Sequence, residues 1–173
     1  VDGVHSDMEA AEKIVELYPY WVSCYGILYV YDSDTGMWCN QPNIYNKVIA
    51  TLRDFIHVMK FNALKKIYVR DEKISYGNTE SLMRRMHTLI KASPLVIDND
   101  WMTRVECSSL QYLLFNNGYL HMATSKWYAK DVNHANGTCG YNPKIAFFEK
   151  ISRDFNYHGK FDEATQLGSY EGF

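Results

Sequence analysis

The chain lacks the short motifs that mark a nucleotide motor or a metallohydrolase. There is no Gly-x-x-x-x-Gly-Lys-Ser/Thr, hence no backbone cradle for a triphosphate, and the chain by itself is not a P-loop ATPase. Gly-x-Gly-x-x-Gly, His-Glu-x-x-His and Cys-x-x-Cys are missing too. Cysteine is scarce: Cys24, Cys39, Cys107 and Cys139 fall at wide, irregular spacings with no signal peptide ahead of them. That pattern predicts free thiols in a reducing, intracellular compartment, and makes the sequon Asn136-Gly137-Thr138 an accident of composition. No repeat, low-complexity stretch or flexible linker divides the chain. No apolar run approaches the roughly 18 residues of a membrane span, which predicts a soluble protein.

What is present is a globular composition. The 173 residues are 47% hydrophobic and 22% charged, one domain by length, and long enough to bury roughly two thirds of the unfolded surface. Aromatic residues reach 15%, with 14 Tyr, 8 Phe and 4 Trp; such side chains suit cores, interfaces and base stacking. The net charge is only −2, but it is unevenly spread. Residues 1–46 hold one base, Lys13, against seven acids, net −6. Residues 47–91 hold ten bases against four acids, net +6. A basic middle between acidic ends fits a phosphate-facing surface, charge-matched contact with another copy, or a solvated helical face.

The patterning predicts an α+β fold: a single compact domain of about four helices packed with two small antiparallel hairpin or meander segments. Ser6 and Glu9 form a capping box ahead of an apolar stripe at Ala10, Ala11, Ile14, Val15 and Tyr18, and Pro19 stops that helix. Branched and aromatic residues from Tyr20 to Cys39, broken by the turn Asp32-Ser33-Asp34-Thr35-Gly36, read as a meander. Asn43 caps a second helix with Ile44, Val48, Leu52, Phe55, Ile56 and Met59 inward. A basic stretch with a loop and a short strand or helix follows. Asn78 or Thr79 opens a third helix, with Leu82, Met83, Met86, Leu89 and Ile90 inward, ended by Ser93-Pro94. Asn117-Gly118, between Leu113-Leu114-Phe115 and Tyr119-Leu120-His121-Met122, signals a two-residue hairpin turn in which the backbone adopts positive φ. Pro143 opens a last helix facing inward through Ile145, Phe148, Ile151 and Phe155. Residues 1–156 form the folded module and 157–173 a connecting segment.

No residue set reads as an active site, and no catalytic or metal-binding residue and no cofactor is assigned. Asp32 and Asp34 follow an apolar strand, and two carboxylates at alternate strand positions can hold a divalent metal for phosphoryl transfer. Primase catalytic cores of the archaeo-eukaryotic type carry a motif of similar form. The adjoining Ser33, Thr35 and Gly36 are turn chemistry, and a hairpin turn is the preferred reading. His134 with Cys139, joined by His121 or Cys107, lacks the tight spacing of a zinc site. His57 reads as a boundary residue of the second helix. The basic middle carries more information. Lys60, Lys65, Lys66, Arg70 and Lys73 are interleaved with Phe61, Tyr68 and Tyr76, while Arg84, Arg85 and Lys91 lie on the outer side of the third helix. Cations neutralise phosphates and rings stack on unpaired bases, so these eight basic residues are the candidate nucleic-acid contacts.

The run Leu113-Leu114-Phe115-Asn116-Asn117-Gly118-Tyr119-Leu120-His121-Met122 resembles a leucine-rich strand, Asn-Gly turn and hydrophobic strand of one viral module. That module precedes the superfamily 3 helicase core in primase-helicases of pox- and asfar-type large DNA viruses and in related phage and plasmid proteins. Tyr29-Val30-Tyr31-Asp32 followed by Trp38 is similar to its first hairpin, and Cys139-Gly140-Tyr141-Asn142-Pro143 to its passage toward the motor. Asn116 stands where the family often has a basic residue. The resemblance implies a non-catalytic accessory module of a viral replication protein whose parent is an ATP-dependent helicase and primase. It implies single-stranded or forked DNA, the helicase and primase domains of the same polypeptide, and other copies in a hexameric ring as partners. No membrane is implied, and the setting is the host cytoplasm or the site of viral replication. The rival readings are a stand-alone single-stranded nucleic-acid-binding protein and, further off, a metal-dependent phosphoryl-transfer enzyme using Asp32 and Asp34.

Overall fold

A computed structural model of the chain describes residues 3–52, 56, 59–70, 80–131, 140–156, 160–162 and 167–169. The fold is α+β, with four helices and small antiparallel sheets among the described residues. It has two compact units: residues 1–30 with 40–99, and residues 31–39 with 100–173.

The first unit opens with α1 (Asp7–Leu17), where the Ser6 side chain accepts from the Glu9 amide at 3.1 Å. Glu9 in turn accepts from the His5 amide at 2.7 Å, so the orphan amides of the first turn are met as the capping box requires. Strand β1 (Trp21–Cys24) pairs with β2 (Ile27–Asp32) through the two-residue turn Tyr25-Gly26. Both turn residues are left-handed, at φ 47° and 77°, which matches the twist of the strands. Helix α2 spans Pro42–Leu52 and buries Tyr45, Val48 and Ile49. It begins earlier than an Asn43 cap would allow: the Gln41 carbonyl accepts from the Ile44 and Tyr45 amides. Pro42 thus takes the first helical position, where a missing N–H costs nothing. The helix also ends sooner than expected. Met59 is buried, but as the first residue of β4 (Met59–Asn62), which pairs with β5 (Ile67–Arg70) as a third hairpin. Phe55 lies outside the described residues. Helix α3 (Glu80–Ala92) buries Met83, Met86 and Ile90 and packs against α1. The core of this unit joins Ala10, Ala11, Ile14, Trp21, Val30, Tyr45, Ile49, Met86 and Ile90.

The second unit holds β3 (Met37–Cys39), a one-turn helix α4 (Trp101–Val105) absent from the sequence expectation, and a five-stranded sheet. Its order is β6 (Tyr112–Phe115), β7 (Gly118–His121), β8 (Lys126–Ala129), β10 (Leu167–Ser169), β9 (Lys160–Asp162). The last two strands lie in the segment expected to be connecting chain. The turn between β6 and β7 is Asn116-Asn117, one place before the expected pair, because Phe115 and Gly118 are paired across the ladder. Gly118 is required for a different reason. A Cβ there would sit 2.3 Å from the Tyr128 carbonyl oxygen and 2.7 Å from the Trp127 ring.

The helix expected from Pro143 is not formed. Ile145, Ala146 and Phe147 are buried in succession, and Phe148 is exposed, which no single helical face produces. The backbone groups of this segment go to strand edges instead. Phe147 accepts from the Trp38 amide at 2.8 Å, Ile151 donates to the Leu114 carbonyl at 2.9 Å, and Arg153 accepts from Asn116 at 3.1 Å.

Candidate nucleic-acid interface

Hairpin β4–β5 carries Lys60, Lys65, Lys66 and Arg70 together with Phe61 and Tyr68. Asn62 and Ile67 close a four-residue tip, Ala63–Lys66. The Asn62 side-chain oxygen accepts from the Leu64 and Lys65 amides, both at 3.1 Å, and Lys66 turns the chain back at φ 50°. These contacts fix the tip locally, as short polar side chains do in turns. Phe61 faces Tyr68 across the ladder with ring centroids 5.4 Å apart, edge to face. Phe61 is 57% exposed, Tyr68 49%, and Leu64 at the tip 97%. Lys60, Lys65 and Lys66 are exposed on the same hairpin, and Arg70 pairs with Met59 at its base.

A short N-terminal strap links this hairpin to α3. The Val4 carbonyl accepts from the Met59 amide at 2.9 Å, and the His5 ring meets Tyr68 at 4.5 Å. Two residues on, the Asp7 carboxylate pairs with Arg85 Nε at 2.7 Å. Arg84 and Arg85 are exposed on α3, which also carries Lys91, so the structure brings seven of the eight predicted cations to elements joined by one strap. Arg85 already has a carboxylate beside it, which weakens it as a phosphate contact.

Lys91 lines a separate concavity of about 490 Å³ with Ser23, Tyr25, Thr88, Ile97 and Asn99. Tyr25 is 78% exposed there, and its amide donates to Asn99 Oδ1 at 2.8 Å. Burial, followed by the Lys91 ammonium, pushes the nearby His87 imidazole below its ordinary 6.5. Sequence reasoning missed Tyr25, whose only signal is a tyrosine before glycine between two strands. Lys73, Tyr76, His57, His134 and Cys139 lie outside the described residues.

The alternatives to this site have other occupations. Asp32 is buried; its carboxylate accepts from the Asp34 amide at 3.2 Å and from Thr35 Oγ1 at 2.9 Å. Asp34 lies within the turn beyond β2, so the two acids do not share a strand face. Both ring nitrogens of His121 are engaged, with Thr124 at 2.7 Å and Gln111 at 3.1 Å. Among the described residues no group of three His, Cys, Asp or Glu can hold a metal ion, and Cys24, Cys39 and Cys107 are free thiols. Among them, too, no helix is long and apolar enough to cross a membrane.

A sequence similar to the one that builds these elements occurs within a viral protein named as a helicase. That protein is "Putative helicase V13" of Sputnik virophage, 28% identical over 172 residues, covering 92% of this chain and 19% of the virophage protein. The chain therefore spans about a fifth of the length of the curated relative it matches. No family model and no solved structure matches the chain.

Proposed function

We propose that this chain is a non-catalytic accessory module of a viral DNA-replication helicase. It assists ring assembly or engages DNA ahead of an ATP-dependent superfamily 3 motor core supplied by the parent polypeptide. The observation that carries this reading is the 28% identity to a virophage protein named as a helicase, through 92% of this chain and a fifth of that protein. A segment of that share, without a triphosphate cradle, contributes something other than the motor. The exposed lysines and rings of β4–β5 support DNA engagement. Its partners on this reading are single-stranded or forked DNA, the helicase and primase parts of the polypeptide, and neighbouring copies in a ring. It needs no cofactor of its own and works inside the host cell.

Fluorescence anisotropy with labelled single-stranded and duplex DNA, at about 50 and 200 mM salt, tests the DNA side. Salt-sensitive binding that a Lys65→Glu, Lys66→Glu, Arg70→Glu variant loses is the expected result. Absence of binding at low salt removes direct contact and leaves ring assembly as the module's role.

A further inference from the structure

We infer that hairpin β4–β5 holds single-stranded DNA by its bases, which stack on Phe61 and Tyr68 while Lys65 and Lys66 at its tip meet the flanking phosphates. The inference rests on the DNA-engaging reading above and specifies its substrate. Two aromatic rings paired across a hairpin are usually covered by the rest of the fold. Here Phe61 and Tyr68 stay about half in water on one face of the hairpin, with Leu64 97% exposed at the tip, while Ile67, 51% exposed, pairs with Asn62 on the other face. Large apolar side chains left this exposed on both faces and the tip of one hairpin point to a binding surface.

Its cations select the partner. Lysine is depleted from the cores of protein–protein interfaces, yet Lys60, Lys65 and Lys66 crowd this small hairpin. Nucleic acid needs both components, since phosphates take the ammonium groups and base faces take the rings. The rings also decide between one strand and two. In a duplex the base faces are already stacked on one another, so Phe61 and Tyr68 can reach them only where the strand is open. The tip is ordered by the Asn62 side chain and the left-handed Lys66, so little freedom is lost on binding.

The test compares an oligothymidylate with an abasic oligonucleotide of equal length, which keeps the phosphates and lacks the bases. Wild-type protein should bind the oligothymidylate at least roughly fivefold more tightly, the smaller end of stacking on one ring. Phe61→Ala and Tyr68→Ala should each remove roughly fivefold of that affinity and leave abasic binding unchanged, while Tyr68→Phe retains it. Lys65→Ala with Lys66→Ala should flatten the slope of log affinity against log salt by about 1.4, at about 0.7 for each phosphate contact. Equal wild-type affinity for the two oligonucleotides overturns the inference and leaves DNA engagement standing. Binding to neither at low salt overturns both. The abasic comparison needs no variant, so a substitution that unfolds the hairpin does not blunt it.

Discussion

Asn117 ties the β6–β7 turn to a segment 38 residues away: its Nδ2 donates to the Phe155 carbonyl, and its Oδ1 accepts from the Phe155 amide, both at 2.9 Å. Asn117→Ala breaks both bonds and should cost about 2 kcal/mol in urea denaturation. Gly36 is fixed as firmly, at φ 76°, with a Cβ position 2.5 Å from the Tyr141 ring. That ring is held from its other end, since the Tyr141 hydroxyl lies 2.8 Å from the Phe115 carbonyl and 2.6 Å from that of Asn116. Burial, then the charges of Asp131 and Asp154, push its pKa up to about 12. Gly36→Ala should therefore destabilise by roughly 2–3 kcal/mol, from overpacking added to backbone strain. His87 gives a pH-dependent prediction. Its folded pKa is depressed by burial and Lys91, so below pH 6.5 the unfolded state takes up the proton first. Stability is fully present above 6.5 and falls as pH drops from there toward the lowered folded value. Denaturation at pH 5 and pH 7.5 should show that loss in wild type and a smaller one in His87→Gln.

Among the elements, α1, α3 and β6–β7 were legible in the sequence because each is dictated by nearby residues. Ser6 and Glu9 cap, Pro19 and Pro94 stop, and three buried positions of α3 repeat at helical spacing. Ser6→Ala should cost about 1 kcal/mol, measurable by thermal or urea unfolding, since it leaves the Glu9 amide without its acceptor. The segment after Pro143 was misread because its apolar spacing also fits a helix. Its amides and carbonyls are claimed by β3 and β6, elements about 110 and about 37 residues earlier in the chain. The β4–β5 hairpin was half legible. Alternating cations and rings showed in the sequence, but their assembly on one hairpin with an ordered tip needed the cross-strand register.

On the scale of the whole molecule, the acidic residues of α1 and the basic middle of the chain fold into the same unit, with α1 against α3 and Asp7 beside Arg85. Part of the charge asymmetry is therefore met within one chain. Arg85→Gln should weaken DNA binding less than Lys65→Gln in the same anisotropy titration, because Arg85 already has a carboxylate 2.7 Å away. With a net charge of −2, no overall positive field draws DNA to the surface, so the proposed DNA binding should depend on local lysines and fall with salt in the same titration. The similarity to the virophage protein covers 92% of the chain and so runs through both units. By itself the sequence determined what is local: caps, helix stops, the α+β class, the missing triphosphate cradle and the basic, aromatic middle. Only the tertiary structure decided which distant groups meet. It buried Asp32 at the end of β2 with its carboxylate committed to the turn that follows, gave the strap from Val4 to Asp7 its two neighbours, and set Asn117 against Phe155. Such contacts depend on which strand edge or buried face is left over once the local elements have formed, and no spacing along the chain records that.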